Sequence, residues 1–282
     1  MAPFRVAAAL ALFLMLVSCA VSTQELAGPS ESTAITYEEP FPSRIVSTTN
    51  RVGVRQPFLL MQPQDPVASV ILFAGGGGDI GLSRTGFRRP GNFLVRTRRF
   101  FAQNGFQVAV VDVPSDRATL DGFRTSLPHA LDIKGVIAEL RRQANVPVWL
   151  VGTSYGTVSA IKVADHLADG GGPDGVVLTS SLFRPGRIGD TVFDADPARI
   201  RVPLLLVHHR NDACPNTPFS NASIFLGRYD AAPVKEIIPF EGGGPTRGGV
   251  CEPFDHHGFV GIERPVVDAI AAWIKAHPPR KP

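Results

Sequence analysis

No apolar run in this sequence reaches the roughly 20 residues that a membrane-spanning helix needs; Val6 to Val17, near the start, falls short of it. No charge of one sign dominates. Lys and Arg number 28 against 25 Asp and Glu, a net +3 at pH 7, and the pI is near 8.9. That balance argues against a nucleic-acid partner. There is no internal repeat and no shift in composition that would mark a second domain. No carboxylate or histidine recurs at metal-ligand spacing, which counts against a metal site built from His208, His209, His256 and His257. Cysteine is scarce: of three, Cys19 lies near the start, and only Cys214 and Cys251 remain for the rest of the chain.

What is present begins with an export signature. Met1 to Arg5 carries positive charge, Val6 to Val17 is apolar, and Ser18, Cys19 and Ala20 are small. That is the layout of a signal peptide over residues 1–18, cut before Cys19. Leu16-Val17-Ser18-Cys19 resembles a lipobox, in which the cysteine after the cut is lipidated. The resemblance implies a mature protein held on a membrane surface by acyl chains, exported to the bacterial cell envelope. Ala20 after the cysteine, rather than Asp, implies the periplasmic side of the outer membrane. An ordinary secretory signal with an incidental cysteine is the alternative.

Residues 19–37, rich in Ser, Thr, Ala, Pro and Glu, read as a flexible tether. Residues 38–282 suffice for one domain with a substantial core. In an exported domain the last two thiols, Cys214 and Cys251, are expected to pair, which would contribute roughly 3–4 kcal/mol in the chain-entropy model. Two separate thiols are the alternative.

Apolar, β-branched runs alternate with helical patterns along this stretch. Strands are expected within 44–61 and over 67–74, 106–113, 146–151, 175–179, 202–208 and 234–239. Helices are expected over 94–104, 130–143, from 157 through 167, and 265–277. Such alternation predicts an α/β domain with a mainly parallel sheet covered on both faces.

Gly152-Thr153-Ser154-Tyr155-Gly156 matches Gly-x-Ser-x-Gly, where a strand turns sharply into a helix and exposes the serine hydroxyl. Side chains at the two flanking positions would clash, so both are glycine. A serine hydroxyl is a poor nucleophile unless a base takes its proton and a carboxylate orients that base. Asp212 follows a strand, at the sheet edge where open α/β sheets place their sites. Asp190, Asp194 and Asp196, after the previous strand, are rivals. Asp255-His256-His257-Gly258-Phe259 offers two imidazoles before the closing helix.

Ala74-Gly75-Gly76-Gly77-Gly78 follows an early strand and lacks the Lys of a P-loop. Gly76 to Gly81 also satisfies Gly-x-Gly-x-x-Gly. Against a dinucleotide site, the strand is not the first, and Asp112 lies further on than the roughly 20 residues of that pattern.

Together the glycine loop, the serine elbow, Asp212 and the paired histidines resemble the α/β-hydrolase family, from about residue 44 to the end. The resemblance implies that fold with a minimal lid, because the segment from Ser181 to Arg201 is short. It implies a catalytic set in the chain order Ser154, Asp212, His257. His257 is preferred to His256 because the family places its base before a small residue and an aromatic. The Tyr155 amide and that of Gly76 or Gly77 would form the oxyanion hole.

The expected reaction is hydrolysis of a carboxylic ester or related acyl bond in a small molecule, with no metal, no organic cofactor and no obligate protein partner. Peptidases and amidases use the same machinery, and an anchored, non-catalytic binding protein could keep the same fold. A Cys214–Cys251 bridge would tie the acid loop to the base loop. The sequence departs from many lipases and esterases in having no His before its glycines. Arg84, Arg88, Arg89, Arg96, Arg98 and Arg99 crowd one stretch, either as a solvated face or, for the first three, as a border of the site that selects anions or meets anionic lipid.

Overall fold

The structure, a computed structural model, describes residues 1–2 and 30–278. The expected signal peptide from residue 3 onward, Cys19 and the tether up to residue 29 lie outside the described residues.

The strands are β1 (Glu31–Ala34), β2 (Ser43–Arg51), β3 (Val54–Met61), β4 (Ala68–Phe73), β5 (Leu82–Ser83), β6 (Gly86–Phe87), β7 (Phe106–Val111), β8 (Val148–Thr153), β9 (Gly175–Thr179), β10 (Leu204–His209) and β11 (Lys235–Phe240). The helices are α1 (Phe93–Gln103), α2 (Leu127–Gln143), α3 (Gly156–His166), α4 (Ala222–Leu226) and α5 (Glu263–Ala276). Among the described residues nine strands form one sheet, in the order β1-β2-β3-β7-β4-β8-β9-β10-β11. From β7 to β11 every pairing is parallel, while β1, β2 and β3 join antiparallel at one edge.

Strand period sorts the core into two layers. On one face Ile71, Phe73, Val148 and Leu150 pack with Ile133 and Val136 of α2 and Val158 and Ile161 of α3. On the other, Val70, Leu72, Trp149 and Val151 pack with Leu94 and Phe101 of α1 and Ile270 and Trp273 of α5. Trp149 and Trp273 meet edge to face at 5.7 Å. Burying each such side chain contributes about 1.5–3 kcal/mol.

The central strands are largely apolar because helices cover them on both sides; among the buried exceptions, Ser69 Oγ donates to Gln107 Oε1 at 2.7 Å. Asn92 caps α1 by accepting from the Leu94 amide, and Ser126 caps α2 by accepting from the His129 amide. Helix α3 has no side-chain cap; its first turn opens at the elbow.

Glu31–Ala34 corrects the expected tether, since it is an edge strand. Its side chains are all exposed, so backbone pairing to β2 holds it and no apolar pattern announces it. The early apolar stretch is a hairpin, turning at Gly53 with φ of +73°. Between Ser181 and Arg201 the chain makes only two single-turn 3-10 helices, Val192–Asp194 and Pro197–Arg199, and no helical lid.

Candidate active site

Ser154 stands between the last residue of β8 and the first turn of α3, with φ of +53°. A left-handed backbone at a non-glycine residue costs about 1–3 kcal/mol and persists only where its surroundings enforce it. The enforcement here is visible. A Cβ at Gly152 would lie 2.4 Å from the Gly156 carbonyl oxygen, and one at Gly156 would lie 2.1 Å from the Phe73 oxygen. The Ser154 amide donates to the Thr179 carbonyl of β9 at 3.1 Å, and the Ser154 carbonyl accepts from the Thr157 amide at 3.0 Å. The serine side chain borders an open cleft of about 320 Å³ at the carboxyl ends of the parallel strands.

His257 borders the same cleft. Its Nδ1 lies 3.0 Å from Asp212 Oδ2, with both side chains almost wholly buried. Nδ1–H donates to that carboxylate, which leaves Nε2 as the free basic atom. Thr217 also donates to Asp212 Oδ2, at 2.8 Å, and the Cys214 amide donates to Oδ1 at 3.0 Å. Burial raises the Asp212 pKa, but the hydrogen bond and charge of His257 and the Cys214 amide outweigh it, so the carboxyl sits below its ordinary value.

Asp212 thus engages an imidazole, and its rivals do not. Asp194 closes a capping box with Thr191, and Asp196 caps the next 3-10 turn. Asp190 is pushed up by burial and by the nearby Asp194.

The loop that carries His257 is fixed from several sides. A Cβ at Gly258 would lie 2.0 Å from the Pro253 oxygen. Phe259 is fully buried with φ of +57° and packs on Phe93 at 4.9 Å. Ser180, itself at φ +45°, donates to the His257 carbonyl at 2.7 Å. Arg96 donates to the carbonyls of Gly258 and Gly91, both at 2.6 Å, and pairs with Glu263. Cys214 and Cys251 are joined by a disulfide, which staples the loop carrying Asp212 to the segment before His257.

His256 turns elsewhere and stacks on His209 at 4.3 Å. His208 is buried, accepts from the Ser181 amide and stacks on Phe183. The four histidines therefore do not converge on one point.

The glycine loop forms the opposite wall. A Cβ at Gly75 would sit 3.0 Å from the Ser154 Cβ, tighter than side-chain carbons ordinarily pack, so glycine eases this close approach. The amides of Gly76, Gly77 and Tyr155 find no acceptor among the described residues. Beyond the glycines the chain enters the β5–β6 hairpin instead of a helix. Asp112 is engaged there by the Ile80 and Leu82 amides at 3.0 and 2.6 Å. Both facts remove the dinucleotide alternative.

The arginine-rich stretch is largely structural. Arg98 and Arg99 pair with Glu39, and Arg88 and Arg89 share Asp79. Arg84 reaches the Ala34 carbonyl. Of the three arginines expected to border the site, Arg89 alone lines the cleft. Thr217, Ser180 and Arg96 were not signalled by any motif. Only their place near the sheet's carboxyl edge could have marked them.

This sheet order, the crossovers and the elbow define the α/β-hydrolase fold, here without an extended lid. No protein-family model and no curated protein matches the chain. Solved structures do. Carboxyl esterase 2 from the mycorrhizal fungus Tuber melanosporum is similar at a TM-score of 0.60 and 15% identity, over 87% of this chain and 90% of that one. An esterase from Pyrococcus furiosus matches at 0.59 and 13%, over 90% and 98%. A serine hydrolase without a lid from Xanthomonas campestris matches at 0.50 and 17%, over 91% and 100%. At these identities the likeness establishes the fold.

Proposed function

We propose that this protein is a serine hydrolase that cleaves a carboxylic ester, with Ser154 as nucleophile, His257 as base and Asp212 as its orienting acid. One observation carries the reading: a strained, cleft-facing serine and an imidazole whose Nδ1 is committed to a buried carboxylate border the same cavity. Ser154 Oγ attacks the ester carbonyl carbon while His257 Nε2 takes its proton, and the carbonyl π electrons move onto oxygen. The resulting oxyanion is met by the amides of Tyr155 and of Gly76 or Gly77, at the uncapped start of α3. When the tetrahedral adduct collapses, the C–O bond to the alcohol breaks and His257 returns the proton to the departing oxygen. Water then repeats the sequence on the acyl-enzyme, with His257 again as base, and frees the acid and Ser154.

A fluorophosphonate probe should label the wild type and leave Ser154→Ala unlabelled. Hydrolysis of p-nitrophenyl acetate should fall by about 10⁴-fold or more in that variant. A wild type that neither labels nor hydrolyses short esters ends the proposal. Comparing acyl esters with aminoacyl amides then separates an esterase from a peptidase or amidase.

We further propose export and lipid anchoring at Cys19. The disulfide supports this, because such bonds persist in oxidising compartments. In membrane fractionation, Cys19→Ser should move the protein from pellet to supernatant; a wild type already in the supernatant would refute the anchor.

A further inference from the structure

Arg124 is an unusual residue behind the site. It lies in the loop between β7 and α2 and is only 2% exposed, yet it has no carboxylate within ion-pairing distance among the described residues. Asp121, Asp190 and Asp79 act on it only from further away. Burying a cation without a counter-ion is costly, and a role in packing alone would be served better by an apolar side chain.

Its oxygens are instead those of the two elements that border the expected oxyanion. Nη2 donates to the Gly76 carbonyl at 2.8 Å and, more weakly, to the Ala74 carbonyl at 3.4 Å; Nη1 donates to Ser159 Oγ of α3 at 2.8 Å. One guanidinium thus joins the glycine loop to the nucleophile's helix, from the side away from the cleft. Arg124 itself is absent from the cleft wall, whereas Gly75, Gly76 and Gly77 form it.

We infer that Arg124 is a positioning residue that sets the oxyanion hole, by fixing the glycine-loop peptides and placing a buried positive charge behind them. This rests on the serine hydrolase reading above. The C=O and N–H of a trans peptide point to opposite sides. Holding the Gly76 carbonyl therefore fixes the Gly77 N–H of the same peptide, pointing away from the guanidinium. Burial lowers the Arg124 pKa to about 10, so it stays cationic at neutral pH. In the water-poor interior its field favours negative charge on the reacting oxygen more than it favours the neutral ester, so it acts on the transition state.

The test uses Arg124→Met, Arg124→Lys and Ser159→Ala in the full-length protein. For Arg124→Met, kcat on p-nitrophenyl acetate and the rate of fluorophosphonate labelling should fall about 10²-fold, the loss typical of an oxyanion donor. KM should stay within about threefold, and inhibition by phenylboronic acid, whose serine adduct is tetrahedral and anionic, should weaken in step with kcat. Arg124→Lys and Ser159→Ala should each lose about 10-fold, as partial losses of the same interaction. Wild-type kcat and boronate affinity in folded Arg124→Met overturn the inference. If that variant does not fold, wild-type values in both of the others overturn it. Should the wild type prove inactive, the esterase reading fails separately, and hydrogen exchange at Gly75–Gly78 decides the positioning claim. Faster loop exchange in Arg124→Lys upholds it, and unchanged exchange overturns it.

Discussion

The two walls of the cleft are secured by opposite means. On the wall that carries Asp212 and His257, polar and covalent ties do the work: Asp212 is gripped by His257, Thr217 and the Cys214 amide, and a disulfide fastens its loop to the one carrying His257. On the glycine wall, an absence of side chains does the work. Gly152 and Gly156 let backbone segments approach to distances that a Cβ would forbid, a Cβ at Gly75 would crowd Ser154, and the polar tie across them is a buried arginine. The first wall adds polar and covalent ties to one tight clearance at Gly258, while the second rests chiefly on the clearances at Gly152 and Gly156, which leave no room for a Cβ.

The largest expected effect breaks the first wall at its centre. Asp212→Asn should lower kcat by about 10⁴-fold, by turning the imidazole to the wrong tautomer. His256→Ala, which removes the ring stacked on His209, should stay within a few fold in steady-state ester hydrolysis. Equal losses in the two variants would show that the wrong histidine has been assigned.

The disulfide comes next. Cys214→Ser with Cys251→Ser should cost roughly 3–4 kcal/mol of unfolding free energy in urea titrations. Thr217 and Ser180 would still position the pair, so kcat in the folded population should change far less than in Asp212→Asn.

The smallest effect concerns acid. His129 of α2 is buried against Phe73 and Phe123 with neither ring nitrogen partnered, and burial with the neighbouring Arg124 charge lowers its pKa to about 3. His208, behind the other wall, is lowered to about 4, chiefly by burial. Both are neutral in the fold. The unfolded chain takes up these protons below about pH 6.5, so their contribution to stability is intact above that pH. It declines as pH falls from there towards 4 for His208 and 3 for His129. His129→Phe should therefore recover about 2 kcal/mol at pH 5 relative to pH 8, measured by urea unfolding at each pH. No difference between the two pH values would mean that the ring is not held neutral.

Much of this architecture was legible in the chain. Strands such as Val148–Thr153 are apolar on both faces, and the helices between them carry clear apolar stripes, so pattern alone located them. The elbow was readable because its geometry demands glycine at two set positions. What escaped notice was held by interactions with no sequence period. Strand β1 has no buried face, and the β5–β6 hairpin has two-residue strands. Thr217 reaches Asp212 across five positions of irregular loop, and Ser180 reaches the His257 carbonyl from 77 positions away. Arg96 and Arg124 stood in the sequence as ordinary basic residues. Only folding showed that backbone carbonyls are among their principal partners.

The bond between Cys214 and Cys251 bears on biogenesis. Newly made chains in a reducing cytoplasm would keep both thiols apart, with the arm bearing the carboxylate and the arm bearing the imidazole unlinked. Coupling them requires an oxidant, so full ripening of this cleft belongs to whichever compartment supplies one. Until then Thr217, Ser180 and Arg96 would hold the two arms without a covalent link, in a less stable fold.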